Sequence, residues 1–306
     1  MPKFYRFCHN LATFRVHLSH EPQQRVAQPS KDRPHLTAMN LKWVTACVMS
    51  LQATLSLAAD MPPVTHSDFP QNNIEQVLLG RDLFFDPLLS GNRNISCASR
   101  HHGVLGSADA VALSVGEGGR GLGKRRRGTA DAPAERHFSR NAPAIFNLGA
   151  NDFTTLFHDG RVALDPDAPF GIRMPKGNAL ERPATSLLSA QALLPILSHE
   201  EMAGTDGEND IATAVSAGQI RGADGAWAKI AARVEAVPEY RARFTALTQS
   251  AEPLHISEIG NAIGAFLAFE FRADESPFDA YLRGEANALT APQARGMALF
   301  YGKATC

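Results

Sequence analysis

The sequence predicts an all-α protein in which helices alternate with long irregular loops. Apolar residues recur at helical spacing in several segments. The clearest is HISEIGNAIGAFLAFEFR, where Ile256, Ile259 and Ile263 share one broad face. No long run alternates apolar and polar residues as a β-strand would. Glycine, proline and charged residues dominate residues 103–140, which indicates loop rather than core.

Three further segments are predicted to be helical. The stretch NNIEQVLLGRDLFFDPLLSG has apolar residues near helical spacing and is stopped by Asp86 and Pro87. GAWAKIAARVEAVPEYRARFTAL is interpreted as one helix. In TAPQARGMALFYGKATC, Thr290 is a plausible N-cap, and Pro292 falls in the first turn of the predicted helix.

Composition limits the class of protein. The chain has 306 residues, of which 44% are hydrophobic and 20% charged, so it is long enough for one large or two medium soluble domains. The net charge of −1 argues against a nucleic-acid partner, because such proteins usually carry a strong basic excess. The run GKRRRG is basic but lacks interleaved aromatic residues, and we interpret it as a solvated loop.

The N-terminal segment resembles an export signal. Residues 39–58 combine a methionine, a lysine, an apolar run and the cleavage signature Ser56-Leu57-Ala58, which together predict a signal peptide. Thr, Ser and Gln interrupt the apolar run, so a stable membrane span is not expected. We therefore predict that residues 1–38 are an upstream extension. The mature chain would begin near Ala59 in an oxidising compartment.

The stretch NISCASRHHG comes close to a c-type haem attachment motif. In Cys-x-x-Cys-His, two thiols bind the haem vinyl groups and the histidine binds iron. Cys97 and His101 have the right spacing, but Arg100 occupies the position of the second thiol. The motif alone leaves open a one-cysteine haem site, a site that has lost haem, and a coincidence. A zinc site made from Cys97, His101 and His102 is a further alternative.

Seven ordered blocks give the chain a specific resemblance. It resembles the bacterial di-haem cytochrome c peroxidases and their relatives, the methylamine-dehydrogenase maturation enzymes, from about residue 74 to the last residue. The resemblance implies a periplasmic, all-helical protein with one c-type haem in each of two cytochrome c domains. The blocks are LGRDLFFDPLLS, ISCASRHH, SRNAPAIFNLG, FHDGRV, AQALLPILSHEEMAG, SPFDAYLRGE and RGMALFYGKATC.

The resemblance also implies a division into domains. Residues 59–283 would form the N-terminal, peroxidatic haem domain, and residues 284–306 would begin the second domain. Cys306 corresponds to the first cysteine of the second attachment motif, and the printed chain stops there. We therefore expect a truncated member of the family in which the second haem is lost.

The same resemblance assigns the first haem site. His101 corresponds to the proximal iron ligand and Cys97 to the first thioether cysteine. Because Arg100 replaces the second cysteine, we expect one haem c held by a single thioether, with complete loss of haem as the alternative. Asn141 resembles a ligand of the calcium ion between the two domains of the family.

Peroxide chemistry needs a group that moves a proton between the two oxygens. Glu201 occupies the position of the family's catalytic acid–base, and Gln191 has the spacing of its distal-pocket glutamine. Without the resemblance, Glu200 would be equally eligible and both would be surface carboxylates. Glu117 replaces a histidine that caps the resting iron in many members, so we expect an open iron site. The alternative is that Glu117 is a solvated loop residue. His158 stands where many members have an electron-relay tryptophan.

The predicted function is therefore that of a periplasmic cytochrome c peroxidase. Such a protein would reduce hydrogen peroxide with electrons from a small cytochrome c or cupredoxin. Homodimer formation is left open. The alternatives are a mono-haem electron-transfer module and a degenerate fragment without catalytic activity.

Overall fold

The computed structural model describes residues 61–128, 140–175 and 177–304. The predicted upstream extension, the signal peptide and Cys306 lie outside the described residues. The chain divides into two compact units, one of which is Thr65–Ala273. The described part of the other consists of residues 61–64 and 274–304. In the described ranges, no helix is both long enough and apolar enough to cross a bilayer.

Helices dominate both units, as predicted. In the described ranges, the larger unit has six α-helices, and a π-helix at His199–Ala203 follows the second of them. The described part of the smaller unit has two α-helices. In chain order they are α1 (Ile74–Phe85), α2 (Leu187–Gln191), α3 (Asp210–Ser216), α4 (Ala226–Glu235), α5 (Pro238–Thr248), α6 (Ile256–Glu270), α7 (Pro277–Leu282) and α8 (Ala291–Phe300).

Helix α6 is the centre of the larger unit. It buries most of its surface, including the predicted face of Ile256, Ile259 and Ile263, against α1 and α2. The contact with α1 is backbone to backbone. A Cβ atom built on Gly80 would lie only 1.8 Å from the carbonyl oxygen of Ala262. Glycine at position 80 is therefore what allows α1 to approach α6 so closely.

Two features differ from the predicted secondary structure. The segment interpreted as one helix is two, because Pro238 begins α5 after a break at Val237. Proline has no N–H group for an intrahelical bond and suits the first turn of a helix. The second feature is a three-stranded antiparallel sheet of β1 (Thr155–Leu156), β2 (Val162–Leu164) and β3 (Ile172–Arg173). These strands are too short to show a period in the sequence.

Other predicted features agree with the structure. Thr290 is the N-cap of α8, and its backbone N–H donates to Gln293 Oε1 at 2.8 Å. Residues 103–128 contain only short 3₁₀ turns, as expected for a loop. The predicted domain division after residue 283 stays a prediction.

Candidate active site

One tight turn carries the two residues of the proposed attachment motif. Cys97–Ser99 form a 3₁₀ turn, and Ser96 N–H donates to Ser99 Oγ at 3.1 Å. The next residues continue this turn, because His101 N–H donates to the carbonyl of Cys97 at 2.9 Å. Cys97 and His101 are therefore held in a fixed relation by local hydrogen bonds.

The environment of His101 selects one protonation state. Its Nδ1 lies 3.0 Å from the carbonyl oxygen of Ser107. A carbonyl only accepts hydrogen bonds, so Nδ1 carries the hydrogen and Nε2 keeps its lone pair. Burial lowers the pKa of His101 to about 4. A neutral imidazole whose Nδ1–H is bonded to a carbonyl is the form that binds metal ions through Nε2.

Ser107 is held in place to make this contact. Its side chain is fully buried, and its Oγ accepts a hydrogen bond from Ile145 N–H at 2.9 Å. The backbone of Ser107 has φ +57°, a left-handed conformation that is uncommon for serine. Tertiary structure therefore fixes the direction of the carbonyl that orients His101.

Cys97 is a half-buried free thiol. Burial, reinforced by the charge of Glu201, raises its pKa to about 12. At neutral pH the thiol is therefore protonated in the metal-free chain. Across the described ranges, no three His, Cys, Asp or Glu side chains are grouped to hold a metal ion.

Arg100 joins the attachment turn to the predicted acid–base residue. Its Nη1 lies 3.4 Å from Glu201 Oε2, and the two side chains are 11% and 25% exposed. Burial raises the pKa of Glu201, and the charge of Arg100 opposes that rise. Glu200 is exposed and accepts a hydrogen bond from Ser198 Oγ at 3.2 Å. Of the two adjacent glutamates, Glu201 is thus the one beside the attachment turn.

Three other predicted residues lie on other segments of the chain. Gln191 is half-buried at the last position of α2. His158 is exposed in the turn between β1 and β2. Asn141 is exposed in a loop.

The interpretation of Glu117 as a solvated loop residue is wrong. Its side chain is 3% exposed, and its Oε1 accepts hydrogen bonds from Asn92 Nδ2 at 2.9 Å and Asn94 Nδ2 at 2.6 Å. Its backbone N–H donates to the carbonyl of Glu200 at 2.8 Å. Glu117 therefore fixes a loop against the segment that carries Glu201. Sequence reasoning missed the two asparagines, because nothing in their spacing marks a partner 23 or 25 residues away.

Arg126 is a second residue whose role the sequence concealed. It belongs to the run interpreted as solvated, yet it is 3% exposed. Its guanidinium donates to the carbonyls of Val115 at 2.6 Å, Gly116 at 2.8 Å and Gly121 at 3.2 Å. The prediction of solvent exposure is therefore wrong for Arg126, which holds together the loop that contains Glu117.

Two side chains of the site have the chemistry that a c-type haem requires. Cys97 offers one thiol and His101 one neutral nitrogen, four residues apart on one turn. Arg100 cannot form the second thioether bond, so the donor set corresponds to haem with one covalent tether.

Comparison with known proteins identifies the family. The family model for di-haem cytochrome c peroxidases matches residues 74–287, so the chain belongs to this family. This confirms the resemblance stated from the sequence blocks.

Three curated relatives illustrate the match. The methylamine utilization protein MauG of Methylorubrum extorquens is 28% identical over 232 residues, which are 76% of this chain and 48% of that protein. The cytochrome c peroxidase Ccp of Escherichia coli strain K12 is 30% identical, covering 76% of this chain and 37% of its own length. For the cytochrome c551 peroxidase of Pseudomonas aeruginosa, the identity is 28% and the shares are 74% and 47%. The chain thus spans about half the length, or less, of these relatives.

A MauG-like protein associated with microbial copper homeostasis is 28% identical, with a TM-score of 0.49, over 79% of this chain and 53% of that one.

Proposed function

We propose that this chain holds one haem c through Cys97 and His101 and reduces hydrogen peroxide to water. The balanced reaction consumes one H₂O₂, two protons and two electrons and yields two waters, with the electrons supplied by a small redox protein. The contact between Arg100 and Glu201 carries the proposal, because it places a half-buried carboxylate beside the turn that bears His101. When bound, the haem supplies a redox-active iron at His101 Nε2.

The chain's own residues would manage protons and orientation. Glu201 accepts a proton from one peroxide oxygen and returns it to the other, which requires a carboxylate that is ionised before the reaction. Arg100 favours that ionised form, while burial keeps the pKa of Glu201 above its usual value. Ser107 fixes the His101 ring through Nδ1. Gln191 would donate an amide hydrogen bond to a bound oxygen ligand.

One observation favours a second candidate function. The same ion pair with Arg100 occupies the carboxylate that peroxide would need. If Arg100 does not release Glu201, the chain would bind haem and transfer electrons without peroxidase turnover.

Glu201→Gln, with Glu200→Gln as the matched control, separates these two functions. General acid–base catalysis typically contributes about 10²- to 10⁴-fold in rate, or roughly 3 to 5 kcal/mol. We expect that loss in Glu201→Gln, with haem content unchanged, and little change in Glu200→Gln, because Glu200 is exposed. The measurement is the stopped-flow rate of the Soret change on mixing with H₂O₂. Equal rates in all three proteins would remove Glu201 from the mechanism. A wild-type chain that binds haem but does not react would favour electron transfer.

We also propose export to the periplasm after removal of residues 39–58. The support is the composition of that segment, which lies outside the described residues. Mass spectrometry of the periplasmic fraction should find a mature N-terminus close to Ala59. Peptides from residues 1–38 in the mature protein would contradict the proposal. Calcium binding at Asn141 and dimer formation stay predictions.

A further inference from the structure

A positively charged loop packs against the residues that follow His101. This basic loop, residues 120–127, exposes four cationic side chains, and no Asp or Glu occurs between positions 118 and 130. The whole chain is close to neutral, so the positive charge is concentrated locally. The exposed cations are Arg120, Lys124, Arg125 and Arg127.

Hydrogen bonds fix the shape of the basic loop. The backbones of Arg120 and Arg127 pair in both directions, with N–H to carbonyl distances of 2.8 and 2.9 Å. Between them, the buried Arg126 guanidinium binds three backbone carbonyls. The exposed cations are therefore displayed on an ordered backbone, and little entropy would be lost in ordering that backbone when a partner binds.

The basic loop packs on the residues that follow His101. A Cβ atom built on Gly123 would lie 3.2 Å from Leu105 Cδ1 and 3.8 Å from the carbonyl oxygen of Asp109. These residues flank Ser107, whose carbonyl orients the imidazole. Val104, three residues after His101, is 63% exposed. The segment after the proposed iron ligand thus combines an exposed apolar side chain with a contact to the basic loop.

We propose that the basic loop and Val104 form the docking surface for an acidic redox protein. This inference rests on the proposed function, since the partner is the one-electron donor which that function requires. Each encounter would oxidise one reduced donor by one electron, and two encounters supply the two electrons for one peroxide. Small interfaces with an apolar centre and charged rims suit such brief contacts, because charge steers the encounter without making the complex long-lived.

A protein partner agrees better with these features than the other polyanions do. Single-stranded nucleic-acid sites add aromatic platforms to the basic groove, and GKRRRG contains no aromatic residue. A membrane surface would neutralise the same cations, but it would not use the position of the loop beside His101. Position and charge together favour a soluble donor.

The test measures binding without peroxide, so that it does not depend on turnover. An acidic cupredoxin in the oxidised form is titrated into the full haem-loaded chain at low and physiological ionic strength. The test variant is Lys124→Glu/Arg125→Glu. Arg221→Glu/Arg241→Glu is the control, because these exposed cations lie elsewhere and the change in net charge is identical.

The proposal expects affinity for the acidic cupredoxin that falls as salt is raised. We expect the loop variant to bind at least about tenfold more weakly and the control to stay within about twofold of the wild type. The rate of the Soret change with H₂O₂ alone should be unchanged in the loop variant.

Several outcomes would overturn the docking surface. They are no binding of the cupredoxin, equal losses in the two variants, or equally tight binding of a basic mitochondrial-type cytochrome c. Binding to vesicles of anionic phosphatidylglycerol but not to the cupredoxin would assign the loop to a membrane instead. If docking holds but the wild type never reacts with peroxide, the proposed peroxidase activity fails and the surface stands as an electron-transfer site.

Discussion

Acidification should destabilise the haem-free chain through His101. Burial lowers the pKa of this residue from 6.5 to about 4 in the folded state, whereas the unfolded chain retains the higher value. Between those two values the unfolded chain binds more protons, so its free energy falls relative to that of the folded chain. The stability contribution is fully present above about pH 6.5 and is lost as the pH falls towards 4. The pKa shift of His101 corresponds to about 3 kcal/mol of unfolding free energy in total. Roughly 2 to 3 kcal/mol of this is lost by about pH 4.5.

Urea unfolding of the haem-free wild type and of His101→Gln at several pH values measures this loss. Glutamine can still donate to Ser107 but does not titrate, so the difference between the two proteins isolates His101. Between pH 7 and 4.5, the wild-type midpoint should fall by about 1 M more urea than that of the variant. In the haem-loaded wild type, iron on Nε2 should prevent proton uptake and remove the extra loss. Parallel pH profiles in the two haem-free proteins would refute the assigned environment of His101.

Two further changes test other parts of the structure. Arg100→Cys should supply a second thiol, shift the pyridine haemochrome spectrum from the one-vinyl to the two-thioether position and raise haem content. An unchanged spectrum would show that position 100 does not face the haem. Gly80→Ala should destabilise the chain by about 1 to 3 kcal/mol or more, because the new methyl group meets the Ala262 carbonyl. Gly296→Ala is its control in thermal unfolding. It meets nothing within 4 Å in α8 and should stabilise that helix by up to about 1 kcal/mol, so equal effects would contradict the close contact of α1 with α6.

The helices were predictable because their signals are local. The apolar face of α6 and the N-cap of α8 each depend on residues within a few turns of one another. The break before α5 was also marked by a proline, but the helical period on both sides of Pro238 concealed it. The small sheet left no such signal, because its strands have two or three residues and are defined by pairing across a turn.

The site was predictable only where it follows a motif. Cys97 and His101 are recognised by their spacing, and Glu201 by its place in an ordered block. The partners that determine their chemistry are remote in sequence. Glu117 is bound by Asn92 and Asn94, which precede it by 25 and 23 residues. The alternative that placed Glu117 in solvent rested on composition, since a charged residue among glycines usually lies on the surface.

The replacement of the second cysteine by arginine therefore has two consequences. In the proposed haem site it would remove one covalent bond to haem, and it brings a cation to the predicted acid–base residue. The first consequence affects how securely haem is held, while the second affects the pKa of Glu201. Arg100→Cys changes both properties at once, and Glu201→Gln changes only the second. Because the Arg100 and Glu201 side chains are in contact, the effects of the two substitutions on the rate of the peroxide reaction should not add. The size of that departure from additivity reports how much Arg100 contributes through the charge of Glu201.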